Sequence, residues 1–194
     1  MTTDRTNRFR PRNVGFKRLQ FLTDFISAVH IEYNDIADFL GISRVAVSHW
    51  FAVDDIKLSQ AFDIIEHFGY SLHLTMSRDI DAPEAQPADI EPDEVMVFPD
   101  GRYRLKRMSF LSFALRECGV TKKELATRMN LNYSSLRWMF NTDSMMISRL
   151  FQAAEALDCS VRFGIGPKGS AVSAGDGPDR HYIISINVLK DIQI

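Results

Sequence analysis

The chain has 194 residues, 45% of them hydrophobic, and its 23 basic and 25 acidic side chains leave a net charge of −2. That length fits one large domain or two small ones, and no apolar run approaches the roughly 18 residues that cross a bilayer, so no spanning helix is expected. A polar amino terminus and the lack of a Cys-x-x-Cys pair or disulfide framework point to a cytoplasmic protein, with Cys118 and Cys159 as small core hydrophobes.

The elements, in chain order, begin with a basic arm at residues 1–16. Over residues 1–18 six basic side chains stand against one acidic, a local charge of +5. Phe21, Leu22, Phe25, Ile26 and Val29 are spaced by three and four, which predicts a first helix. A second helix runs from about Asn34 to Leu40, followed by the break Gly41-Ile42-Ser43. Gly41 tolerates a left-handed backbone, and Ser43 is a good N-cap for a third helix to about Phe51. Leu58, Ala61, Phe62, Ile65 and Phe68 mark a fourth. The period then changes to two at Leu72, Leu74 and Met76, the mark of a strand. Residues 79–94 carry seven carboxylates and no basic residue, −7 in all, and read as a solvated linker. Val95 to Phe98 and Tyr103 to Leu105 flank the turn signal Pro99-Asp100-Gly101 and predict a hairpin.

From there the pattern repeats. Shifting the sequence by 89 positions aligns residues 17–76 with 106–165 without a gap. Eleven positions are then identical: Lys17, Arg18, Phe21, Leu22, Ala37, Phe51, Asp54, Ser59, Phe62, Glu66 and Ser71 with their partners. Unrelated segments of that length agree at roughly four. The second copy offers a helix through Phe110, Leu111, Leu115 and Cys118, then one from Thr121 to Met129 that opens on the capping box Thr121/Glu124. The break Asn130-Leu131-Asn132, a helix to about Phe140, a helix from Ile147 to Leu157 and a strand at Val161, Phe163 and Ile165 complete it. A last strand is expected at Tyr182 to Val188, with Val95 and Val97 matching Ile184 and Ile186. Boundaries follow at 17–78 for the first unit, 79–93 for the linker and 94–194 for the second unit with its flanking strands.

The segment from Asp35 to Phe51 has the form of a helix-turn-helix: Ala37 is small where helices cross, Gly41 turns the chain, and Ile42 and Val47 set the angle. Glu124 to Phe140 repeats the form. On these residues both copies resemble the lambda-repressor-like (Cro/C1-type, XRE) helix-turn-helix family, over about 50 residues each. The resemblance implies an α+β protein of two tandem helix-turn-helix bundles with trailing β-strands, an internal pseudo-twofold duplication. It also implies sequence-specific binding of double-stranded DNA in bacterial or phage transcription regulation, the chain acting as a covalent pseudo-dimer. The groove-facing residues it assigns are Ser43, Arg44, Val45, Ser48 and His49 in the first copy and Asn132, Tyr133, Ser134, Arg137 and Trp138 in the second. Arg can bridge guanine, Asn can bridge adenine, and hydroxyls at a helix start can hold phosphate. Arg8, Arg10 and Arg12 of the arm suit a minor-groove or phosphate contact. Where the family often has Gln at the start of the second helix, this chain has Tyr33 and Lys122. After the recognition helix Ala52-Val53 stands against Asn141-Thr142.

Plainer readings stand beside these. Trp50 and Met139 are core positions, whereas His49 and Trp138 point outward, and an exposed Trp serves a protein contact as well as a base stack. Arg44 and Arg137 also suit ordinary solvated surface. His30, His49, His67, His73 and His181 show no ligand spacing, and no nucleophile elbow or phosphate loop is present, so neither a metal, a cofactor nor an enzyme is expected. The alternative function is a protein-interaction or antitoxin-like adaptor that keeps the fold without reading DNA, and a homodimer or other protein partner is compatible with either reading.

Overall fold

The computed structural model describes residues 17–78, 95–97, 99, 103–168 and 182–184. Arg8, Arg10 and Arg12, the acidic linker and the end of the expected last strand lie outside the described residues. The protein is α+β. Helices α1 (Gln20–Val29), α2 (Tyr33–Leu40), α3 (Arg44–Val53) and α4 (Leu58–His67) lead into strand β1 (Tyr70–Ser77). After strands β2 (Val95–Val97) and β3 (Tyr103–Leu105) come α5 (Ser109–Cys118), α6 (Lys122–Arg128), α7 (Tyr133–Asn141), α8 (Ile147–Leu157), β4 (Ser160–Pro167) and β5 (Tyr182–Ile184). Among the described residues no single helix is long and apolar enough to cross a membrane.

Helices α1 and α4 bury most of the stripe that their spacing predicts, Phe21, Leu22, Phe25 and Ile26 in α1 and Leu58, Ala61, Phe62 and Ile65 in α4, with Ile64 added to it, whereas Val29 and Phe68 at the helix ends are half-buried. α5 and α8 bury the matching set. Helices α1 and α5 have no capping side chain of their own at the N-cap position. The chain entering α1 is held instead by Asp54, whose carboxylate accepts the backbone N–H of Arg18 (2.8 Å) and of Leu19 (2.9 Å). Asp143 does the same for Arg107 and Met108, at 2.9 Å each. Both aspartates also take the left-handed backbone conformation just beyond the preceding helix, with φ of 57° and 51°. One residue thus ends a helix and caps another 35 positions back, which accounts for an aspartate at this position in both copies.

Strands β1 and β4 pair antiparallel along their whole length, with Leu72 opposite Ile165, Leu74 opposite Phe163 and Met76 opposite Val161. These six side chains share one face, the face the helices cover. Leu74 lies opposite its own counterpart under the 89-residue shift. So does Lys57, which bridges to Met146. Around that bridge Leu58 N–H donates to the Met145 carbonyl at 2.7 Å and Ile147 N–H to the Ile56 carbonyl at 2.9 Å. Ser59 N–H meets Ser144 Oγ at 3.2 Å, as Ser148 N–H meets Asp55 Oδ1 at 2.9 Å. Ladder and bridge have the register that a twofold relation between the halves requires. Buried side chains of both halves form one continuous core. Phe163, fully buried, stacks on Phe21 of the other half with ring centroids 4.1 Å apart.

The correspondence breaks at the short strands. β5 joins β4 as the third strand of the sheet, in the order β1-β4-β5, whereas β2 pairs with β3. The expectation that Val95 and Ile184 play matching parts is corrected accordingly. The turn at Pro99 brings a partner strand within a few residues of β2, and so short a closure costs little entropy, while β5 has the edge of β4 to complete. Helix limits moved slightly: α2 begins at Tyr33, and α3 and α7 run on to Val53 and Asn141. Cys118 and Cys159 do sit in the core, their sulfurs 3.6 Å apart, with Cys159 1% exposed. Burial, and then the contact with Cys118, pushes the Cys159 thiol up to about 12. It stays a neutral thiol at physiological pH.

Candidate functional site

Between α2 and α3 the chain bends by 113°. Gly41, at φ 65°, makes the turn, and Ile42 N–H returns to the Ala37 carbonyl at 3.0 Å. Ala37 (4% exposed), Ile36 and Val47 (both 0%) fill the crossing, where a larger residue than Ala37 would drive the helices apart. The Ser43 hydroxyl accepts Ala46 N–H at 3.2 Å and fixes the start of α3. α6 and α7 repeat the arrangement. Thr121 and Glu124 form the expected capping box, Ala126 is 1% exposed, Asn130 has φ 53°, and Asn132 Oδ1 accepts Ser134 N–H at 3.2 Å.

The departures at Tyr33 and Lys122 find their reason here. Tyr33 stacks on Phe51 with centroids 4.9 Å apart, tying the start of α2 to the end of α3. At the matching place the Lys122 ammonium lies 4.6 Å from the centre of the Phe140 ring. An aromatic pair in one half is a cation–π pair in the other, and both anchor the same two helices.

Ser43, Arg44, Val45, Ser48 and His49 are all exposed, as are Asn132, Tyr133, Ser134, Arg137 and Trp138. Each set lies along one helix face, so the structure brings together within each helix the residues that the sequence singled out. Trp50 and Met139 are half-buried and pack on the core. Arg44, Val45, Ser48, His49 and Ala52 line an open depression of about 300 Å³. Several of these side chains have local duties too. Ser43 and Asn132 spend an oxygen on the caps just described.

The two faces are unlike. Val45 is 77% exposed and Val53 45%, and Ala52 completes an apolar strip on α3. The matching positions on α7 and just after it are Ser134, Asn141 and Thr142. Sequence reasoning also passed over the residues flanking α7. Lys123 and Arg128 on α6 are exposed, whereas α2 presents Asp35 and Asp38. A count of charge over the two matching segments would have found them. Among the described residues no group of three His, Cys, Asp or Glu side chains is placed to hold a metal ion.

Compared with models of protein families, with curated proteins and with solved structures, the chain matches none.

Proposed function

We propose that this chain is a cytoplasmic, non-enzymatic DNA-binding regulator of transcription, of bacterial or phage type. Its two lambda-repressor-like helix-turn-helix units would present α3 and α7 to successive major grooves of one duplex. The observation that carries the reading is the sharply bent pair α2–α3 together with the matching pair α6–α7, each with an exposed face on its second helix, joined across the self-matching pairs Leu74/Phe163 and Lys57/Met146. A covalent pair of this kind does what a repressor dimer does without needing a second chain. Arg44 and Arg137 supply guanine-reading groups, and Ser48 and Ser134 supply hydroxyls. The arm residues Arg8, Arg10 and Arg12 would add phosphate contacts.

Binding of the full chain to genomic DNA fragments, titrated across salt concentrations, tests this. A retained fragment should be held over competitor DNA, with log affinity falling linearly against log salt and the centres of α3 and α7 about 34 Å apart in the complex. No preference among fragments at any salt would reject it.

A protein-interaction or antitoxin-like role is the second reading, favoured by the exposure of Val45 (77%), Trp138 (62%), Val53 (45%) and Tyr133 (44%). Under it no DNA fragment is preferentially retained, and Val45→Ser and Trp138→Ser abolish capture of a partner or a second copy.

A further inference from the structure

Within the DNA-binding reading, on which this inference rests, we infer that the two units are not equal partners: α6 and α7 carry the affinity and the base readout, and α2 and α3 contribute little. With both helices seated in successive grooves, the base sequence would then be read mainly in the half-site under α7 rather than equally in two mirrored ones.

The argument starts from charge on matching ground. Residues 32–54 hold Glu32, Asp35, Asp38 and Asp54 against Arg44 alone, a net charge of −3. The corresponding residues 121–143 hold Lys122, Lys123, Arg128 and Arg137 against Glu124 and Asp143, a net +2. Structure sharpens the contrast, because Asp54 and Asp143 both face inward onto backbone N–H groups and cancel from the comparison. What remains on the surface of the first unit is three exposed carboxylates to one guanidinium. On the second, Lys123, Arg128 and Arg137 are exposed against the single exposed carboxylate Glu124, with Arg128 also donating to the Ala156 carbonyl. Each unit ties carboxylates into a capping box, Glu32 with Asp35 in the first and Glu124 in the second, so the contrast rests on the free Asp38 and on the cations that α6 carries and α2 lacks. In a helix-turn-helix docked on DNA the first helix crosses the phosphate backbone. Asp35 and Asp38 on α2 would meet phosphates there and repel them; Lys123 and Arg128 on α6 would release counterions.

The reading faces differ in the same sense. At the five outward positions α3 offers Arg44, Val45, Ser48, His49 and Ala52, where α7 offers Tyr133, Ser134, Arg137, Trp138 and Asn141. Not one is the same, although the inward residues stay apolar in both helices, Val47 with Leu136 and Phe51 with Phe140. Arg137 lies in the middle of its helix, flanked by hydroxyl and amide groups that exchange hydrogen bonds with base edges. Arg44, although at the start of α3 where base edges are met, stands beside Val45 and a strip that can touch only a thymine methyl.

The test is selection of the full-length chain on a pool of randomised duplex DNA, followed by affinity measurements on the selected sequence with four variants. All four positions are exposed, so thermal midpoints should be unchanged and should be checked. One informative block of bases is expected. Arg137→Ala and Lys123→Glu should each weaken binding by about tenfold or more, and Arg44→Ala by less than threefold. Asp38→Lys should strengthen binding severalfold by removing a carboxylate from the phosphate path. Two equally informative mirrored blocks, or an Arg44→Ala loss as large as that of Arg137→Ala, would overturn the inference and leave the DNA reading standing. A pool from which nothing is selected would remove the DNA reading and the inference together.

Discussion

Asp54 and Asp143 carry identical chemistry in unequal surroundings. Each accepts two backbone N–H groups, but Asp143 is 5% exposed whereas the side chain of Asp54 is 25% exposed. Water can reach the orphaned donors in the first case less easily than in the second. Asp143→Ala should therefore cost on the order of 2–3 kcal/mol and Asp54→Ala about half that, by urea denaturation followed by circular dichroism. Equal losses would mean that the left-handed backbone, common to both, dominates. Arg18 and Arg107 diverge as well. Arg107 reaches across to α4, with Nη2 2.6 Å from Asp63 Oδ1 and the guanidinium 5.1 Å from the Phe62 ring centre. Arg18 stays in its own half, on Asp54 and the Val53 carbonyl. The reason is that Gln152 stands where Asp63 has its charge, and its oxygen is held by Arg149 at 2.6 Å.

At the scale of the element, α6 is a seven-residue helix too short to stand without its caps. Glu124 accepts the Thr121 backbone N–H at 2.8 Å and its hydroxyl at 2.7 Å. Those bonds hold its carboxyl below its ordinary value of 4.5, the backbone bond first. A carboxylate whose folded value is depressed adds stability that is complete above the unfolded value. That contribution fades as pH falls from about 4.5 through the lower folded value. Glu124→Gln should accordingly flatten the loss of stability below pH about 4.5. Unfolding midpoints measured from pH 7 to pH 3 would show it, and parallel curves for the two proteins would contradict it. The same helix carries Lys123 and Arg128, so the cap that keeps α6 formed also keeps its cations in position.

The whole molecule is bound by surfaces that neither half completes alone. Phe163 of β4 stacks on Phe21 of α1, β1 finds its ladder partner in β4, and the bridge at Lys57 and Met146 ties the starts of α4 and α8. Two units sharing one core should unfold together. Trp50 reports on the first half in a Trp138→Phe variant. Alkylation of Cys159, a buried neutral thiol when folded, reports on the second. Both reporters should give the same urea midpoint. Phe163→Ala, which empties a fully buried ring position on the line between the halves, should lower stability by about 3–5 kcal/mol and shift both midpoints alike. Separate midpoints would make the halves independent domains.

Periodicity, caps and turns are local properties, and they were legible in the residues. The stripes of α1 and α8, the N-caps Ser43, Thr121 and Asn132, the left-handed Gly41 and Asn130 and the hairpin at Pro99 all rest on interactions within a few positions of sequence. The outward placement of Arg44, His49, Arg137 and Trp138 was legible for the same reason, since helical spacing fixes which side chains oppose the core. Long-range choices were not. That Asp54 would cap a helix 35 residues earlier, that Arg107 and not Arg18 would cross to the other half, and that β5 and not β2 would extend the sheet depended on groups far apart in the chain. The repeated sequence pattern gives the expectation of two matching units. Only their packing decided that Leu74 meets Phe163, because the register of a strand pair is settled by which faces can be buried together.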